Sequence, residues 1–141
     1  MTLLVDTSVW ALALRRDAAM SEPEVQQRKD ALLGADVVVT TGLVLQESLQ
    51  GFSGPRDRAQ IIERFAALPL LQPDRDDHVG AAELRNTCRK AGIPVGTIDA
   101  LLAKLCIRHD LTLVSTDKDF KLAAKHCALR VWPSKATSRR K

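Results

Sequence analysis

Four short stretches of this chain each hold a carboxylate where it could do chemistry: Leu4-Val5-Asp6-Thr7-Ser8, Leu45-Gln46-Glu47, Thr97-Ile98-Asp99 and Ser115-Thr116-Asp117-Lys118-Asp119-Phe120. No His or Cys accompanies the acids. A set of carboxylates alone suits a hard, oxygen-seeking cation such as Mg2+ or Mn2+. Such a site activates water against a phosphodiester, so metal-assisted hydrolysis is the chemistry these residues imply, with no nucleophilic Ser or Cys required.

Taken singly, each acid has a structural explanation. Asp6 and Asp117 can cap the helices that follow them, and Asp99 suits the positive first turn of its own helix. Glu47 is harder to explain in this way, because Leu43 and Val44 stand four and three residues before it, placing it beside or within a core-facing stripe. A buried or half-buried carboxylate needs a partner or a metal. Four acids gathered at one edge would raise one another's pKa unless a divalent cation were present, so stability alone does not explain the set. Ser8 and Thr116 stand one or two residues from acids and can hold a carboxylate in place, or serve as plain turn residues. Arg85 and Arg89 lie one helical turn apart and share a face that can grip a phosphate backbone, or simply meet solvent.

The elements that must position these residues follow an α/β pattern. Leu3 to Val5 is a short apolar run ending at Asp6, and a helix-like stretch with Val9, Trp10, Leu12 and Leu14 comes after it. A helix is expected over 21–34, a strand at Val37–Val39, a helix capped at Thr40 or Thr41 and running to Gln50, and another over 56–68 striped by Ile61, Ile62, Phe65 and Leu68. A short strand follows near Leu68–Leu71. Further helices are expected from Asp74 to Ala91, closed by Gly92, and from a cap at Thr97 to His109. A strand at Leu111–Val114, a short helix over 118–125 and a last strand at Leu129–Val131 complete the pattern. Alternating strands and helices imply a parallel sheet sandwiched by helices, with ligands bound outside the carboxyl ends of the strands. Asp6 and the Asp117 region fall at that edge.

At 141 residues, 45% hydrophobic and 27% charged, the chain suits one domain. Residues 1–133 are expected to form it, with 134–141 a basic, mobile tail. The apolar start lacks a basic leader, no run approaches a membrane span, and the three cysteines lack metal or disulfide spacing. Free thiols and a cytoplasmic location are the expectation. The three histidines are scattered and read as structural or surface residues. The net charge of +4 suits a surface that attracts phosphate around an acidic centre. Trp10, Trp132 and the three Phe are too dispersed for a base-stacking platform and read as core or partner-interface residues.

In order, Leu4-Val5-Asp6-Thr7-Ser8-Val9-Trp10, Glu47 in its helix, Arg89-Lys90-Ala91-Gly92, Ile98-Asp99-Ala100-Leu101-Leu102-Ala103 and Leu113-Val114-Ser115-Thr116-Asp117-Lys118-Asp119-Phe120 resemble a PIN-domain ribonuclease of the VapC toxin type. The resemblance runs over nearly the whole chain, and no core acid is missing. It implies a three-layer α/β/α fold and carries the family's acids to Asp6, Glu47, Asp99 and Asp117, with Asp119 auxiliary. It also implies endoribonuclease activity with Mg2+ or Mn2+, products with 5′-phosphate and 3′-hydroxyl ends, a homodimer, and inhibition by a VapB antitoxin. Two alternatives stand beside it. A haloacid-dehalogenase-like phosphohydrolase would use Asp6 as nucleophile, but wants a second Asp at position 8, which is Ser. A non-catalytic module would use the acids to accept a partner's arginine.

Overall fold

The computed structural model describes residues 2–14 and 37–132. The helix expected over 21–34 and the tail 134–141 lie outside them. By its internal packing the chain divides into two compact units, Met1–Gln72 and Pro73–Lys141.

In the first unit, β1 (Thr2–Val5) runs directly into α1 (Thr7–Leu14), with Asp6 at the junction. β2 (Val37–Thr41) lies parallel to β1, with Leu3 beside Val38 and Leu4 beside Val39. Leu3, Leu4 and Val5 are wholly buried, which is what a continuous apolar run in a parallel strand requires. Thr41 ends β2 and caps α2 (Gly42–Gly51), its hydroxyl accepting from the Val44 N–H at 3.1 Å. α3 (Pro55–Ala66) begins with proline at its first turn, where the missing N–H costs nothing, and has Asp57 near its start and Arg64 near its end. β3 (Leu70–Leu71) is short and pairs parallel to β2.

Two expectations for α3 are corrected. Ile61 and Phe65 are buried as predicted, but Ile62 is 40% exposed, because it sits about 100° around the helix from Ile61. The helix also stops at Ala66 rather than 68. Ala67 and Leu68 bond back to Arg64 and Phe65 in a tightened final turn, and Pro69 disfavours helical backbone at Leu68. Trp10 of α1 packs its ring against Phe65 of α3, with centroids 4.9 Å apart and planes tilted by 46°. Trp10 is therefore core, in line with one of the two roles expected for it.

The second unit opens on α4 (Arg75–Lys90), whose N-cap Asp74 and third residue Asp77 form a reciprocal capping box with two 2.9 Å bonds. α5 (Thr97–Arg108) packs against α4. At their far ends Arg108 donates to the wholly buried Asp77 carboxylate and also lies 3.1 Å from the Asp74 carboxylate. That contact clips the start of α4 to the end of α5. β4 (Thr112–Val114) is buried throughout and pairs parallel with β5 (Arg130–Trp132), Leu113 beside Val131. Between them α6 (Lys118–Ala123) is two residues shorter than expected, because Lys125 and His126 bond back three residues instead of continuing the helix. Thr97 is not the cap of α5 but its first residue. Gly96 occupies the cap in extended backbone and offers no side chain.

Cys88 and Cys106 are buried free thiols, and Cys127 is a half-buried one. His78, His109 and His126 are exposed. Among the described residues no helix is long and apolar enough to cross a membrane.

Candidate active site

Asp6 directly follows a buried strand and directly precedes a helix, so the backbone itself aims its carboxylate past the strand's carboxyl end. It is only 7% exposed. Its Oδ1 accepts the Thr7 backbone N–H at 2.7 Å and its Oδ2 accepts the Ser8 hydroxyl at 2.9 Å. Charge-assisted bonds of this kind are the stronger class, and two of them leave the carboxylate little freedom to rotate. Its carbonyl meanwhile starts the helix, accepting from Val9 and Trp10. The expectation that Asp6 serves the helix and the expectation that Ser8 holds a carboxylate are both met in one turn of chain.

Glu47 is half-buried on α2, one position from the buried Ser48 and three from the buried Val44. The Thr7 hydroxyl donates to its Oε1 at 2.8 Å, across 40 residues of sequence. Thr7 thus holds two acids at once, Asp6 through its backbone N–H and Glu47 through its side chain. Thr7 was missed as a site residue. It stands inside the Asp6-Thr7-Ser8 run, but nothing local reveals the reach to α2.

In the second unit Asp99 is half-buried in the first turn of α5, the early-turn position expected for it. Asp117 is exposed and caps α6, its Oδ1 accepting the Asp119 N–H at 2.9 Å. The Ser115 hydroxyl, on a residue only 2% exposed, accepts the Asp117 N–H at 3.0 Å and braces the turn from β4 into α6. Ser115 was not singled out in sequence; Thr116, which was, is exposed. Asp119 is half-buried beside it. Arg89 is exposed, as a phosphate contact requires, whereas Arg85 is half-buried and its Nε donates to the Val95 carbonyl at 3.1 Å.

The structure thus joins Asp6, Glu47, Thr7 and Ser8 in one hydrogen-bonded group, and Asp117, Asp119 and Ser115 in another. Among the described residues no three His, Cys, Asp or Glu side chains form a group that could hold a metal ion as they stand. The donor chemistry nonetheless fits Mg2+ or Mn2+. Magnesium is commonly bound through one or two carboxylates, its own waters and substrate phosphate rather than by a full protein cage. Asp6 and Glu47 are such a pair, all oxygen and pre-oriented. A separate concavity of about 280 Å3 in the second unit is lined by Leu84, Cys88, Lys104, His126 and Cys127 among others, and by none of these acids.

Parallel strands alternating with helices, with acids at the strand ends, place the chain in the α/β class. Residues 3–126 match the PIN domain family, and the chain belongs to that family. It is 29% identical over 127 residues to the VapC ribonuclease Mb1587 of Mycobacterium bovis and equally to ribonuclease VapC11 of Mycobacterium tuberculosis, covering 87% of this chain and 92% of each relative. Among solved structures, it superposes on DNA-bound VapBC from Salmonella typhimurium with a TM-score of 0.72 at 17% identity, covering 93% of this chain and 96% of the other. It also superposes on VapC20 of Mycobacterium tuberculosis, a toxin that cleaves the sarcin-ricin loop, with a TM-score of 0.68 at 20% identity, covering 86% and 94%. These likenesses establish the three-layer α/β/α fold expected from the sequence.

Proposed function

We propose that this protein is a metal-dependent endoribonuclease and the toxin of a toxin–antitoxin pair. The observation that carries the reading is the Thr7 bridge: one residue orients a nearly buried Asp6 and the Glu47 carboxylate of another helix. Two acids that share Thr7 as a hydrogen-bond donor are neighbours of like charge, and their arrangement is explained if they serve a cation. The PIN family membership and the ribonuclease names of the relatives point the same way.

The residues proposed to hold Mg2+ or Mn2+ are Asp6 and Glu47 in the first unit and Asp99 and Asp117 in the second, with Asp119 auxiliary. When bound, the cation would supply the charge that polarises the scissile phosphate and makes water a competent nucleophile. The chain's own residues do the rest. Thr7 and Ser8 keep the Asp6 and Glu47 oxygens fixed, so that no reorganisation is needed as charge develops. Ser115 and the Asp117 cap fix the turn into α6. The exposed Arg89 and the net charge of +4 favour approach of a polyanion. In-line attack by water at phosphorus with departure of the 3′ oxygen, as the family resemblance implies, would leave 5′-phosphate and 3′-hydroxyl ends.

The inhibitor proposed is a small VapB-like antitoxin, because several structural neighbours are VapBC complexes. Cleavage of RNA by the purified chain, dependent on Mg2+ or Mn2+ and lost in Asp99→Asn, tests the enzymatic reading. Cleavage that persists in chelator, or in Asp99→Asn, rejects it. The phosphohydrolase alternative lacks its second Asp, since position 8 is Ser and its hydroxyl is donated to Asp6.

A further inference from the structure

Asp99 can serve a site only if the start of α5 is held still, and the cap of that helix contributes no side chain to hold it. Its cap is Gly96, which makes no side-chain bond to the free N–H groups of the first turn. The connection from α4 is tight. Gly92 adopts φ of 81°, a left-handed conformation that suits glycine, and the Ile93 N–H returns to the Cys88 carbonyl at 2.8 Å. Ile93 and Val95 then bury their side chains, at 7% and 5% exposure. The carbonyl of Val95, immediately before the cap, receives the Nε–H of Arg85 at 3.1 Å.

Arg85 lies on α4 and is half-buried. A single directional N–H from the guanidinium is a poor use of a residue meant to grip phosphate, but a sound one for fixing a backbone carbonyl. Val95 stands two residues before the first residue of α5 and four before Asp99, and the Gly96 carbonyl begins the helix by accepting from Ala100 at 2.9 Å. Displacement of Val95 is therefore passed to Asp99 with little chain in between to absorb it.

We propose that Arg85 is a positioning residue: through the Val95 carbonyl it fixes the first turn of α5 and so the placement of the Asp99 carboxylate. This revises its expected role as a phosphate contact and rests on the ribonuclease reading for its catalytic consequence. A Lys at this position keeps the charge but has neither the planar fork nor the Nε donor, so the exchange is not conservative.

The test compares the full-length parent with Arg85→Lys, Arg85→Met and the double variant Arg85→Met/Gly96→Ser. Steady-state RNA cleavage is measured against Mg2+ concentration, and amide hydrogen exchange is measured in the first turn of α5 without RNA. Both single variants are expected to lower kcat about tenfold to a hundredfold, the penalty of misplacing a reacting group by a fraction of an ångström or more. KM for RNA stays near the parent value, more Mg2+ is needed for half-maximal rate, and exchange at Asp99 and Ala100 accelerates. A Cβ at position 96 meets nothing within 4 Å, so Gly96→Ser can add the missing cap and is expected to restore part of the protection and of kcat.

Full kcat in Arg85→Lys overturns the proposal, as does Arg85→Met raising KM alone with unchanged exchange, which is the signature of a phosphate contact. If Arg85→Met does not fold, Arg85→Lys decides. An inactive parent would sink the ribonuclease reading and leave the exchange comparison to judge Arg85 on its own.

Discussion

Replacing Asp6 by Asn separates a structural carboxylate from a chemical one, because the geometry says how little the fold should lose. The Asn oxygen can still accept the Thr7 N–H, and the amide NH2 can donate to the Ser8 oxygen once that hydroxyl rotates, so both partners now at 2.7 and 2.9 Å remain usable. Each bond changes from charge-assisted, worth about 1.5–3 kcal/mol, to neutral, worth about 0.5–1.5 kcal/mol. The loss from these two bonds is thus about 2–3 kcal/mol, and removing a negative charge from the neighbourhood of Glu47 offsets part of it. For a chain of this size the melting temperature should fall by less than about 12 °C. Activity should respond very differently. Losing a ligand charge from a metal-assisted reaction removes about 4 kcal/mol of transition-state stabilisation, roughly a thousandfold in rate. Thermal melting and RNA cleavage on the same preparations give both numbers. A variant unfolded at ambient temperature would show Asp6 to be structural, and one that keeps more than about a tenth of the parent rate, a loss of only about 1.4 kcal/mol, would remove it from the chemistry.

Mg2+ or Mn2+ is expected to raise the melting temperature of the parent, by a stabilisation of about 2.7 kcal/mol at a hundredfold excess over Kd, and to do so less in Asp6→Asn; a flat titration refutes this. Arg108→Met should destabilise the fold by about 2 kcal/mol in chemical denaturation, since the wholly buried Asp77 would lose its cation, with a partly exposed arginine discounting the full cost of breaking a buried pair. Asp74 adds a pH signature. The Asp77 backbone N–H, opposed by burial and aided by the Arg108 guanidinium, holds the Asp74 carboxyl below its ordinary value of 3.8, so it contributes stability above that value that disappears as pH falls through the lower folded value. Acid titration of stability should therefore be shallower in Asp74→Asn. Thiol reagents at neutral pH should label half-buried Cys127 first; burial pushes the Cys88 and Cys106 thiols up, aided at Cys88 by Cys127, and labelling of either before global unfolding would contradict the structure.

Periodicity and punctuation made most of the fold legible. Leu3 to Val5 reads as a buried strand because nothing in it is polar, and Asp6 is legible as a strand-end acid because the helical pattern begins at once. The helix expected from Asp74 to Ala91 and closed by Gly92 is likewise found within one residue at each end, with Asp74 and Ala91 as its caps. The misplaced boundaries arise where tertiary bonds override local preference. Thr97 is the better capping residue by type, but the Arg85 bond to Val95 and the burial of Ile93 and Val95 set the turn one residue earlier, at a glycine. The site was legible as a list of acids and not as an arrangement. Glu47 stood out because it broke an apolar stripe, yet its bond to Thr7 spans 40 residues, and no local pattern encodes such a distance. Ser115 was not singled out, because the direction of its hydroxyl toward the Asp117 N–H is not visible in sequence.

The central claim is that these acids cut RNA by metal-assisted attack of water. Sequencing RNA 5′ ends from cells after brief induction of the parent, with Asp6→Asn induced in parallel, tests it most directly. New discrete ends carrying 5′-phosphate, present with the parent and absent with Asp6→Asn, are the predicted result. New ends that carry 5′-hydroxyl, or that appear equally with Asp6→Asn, would contradict it.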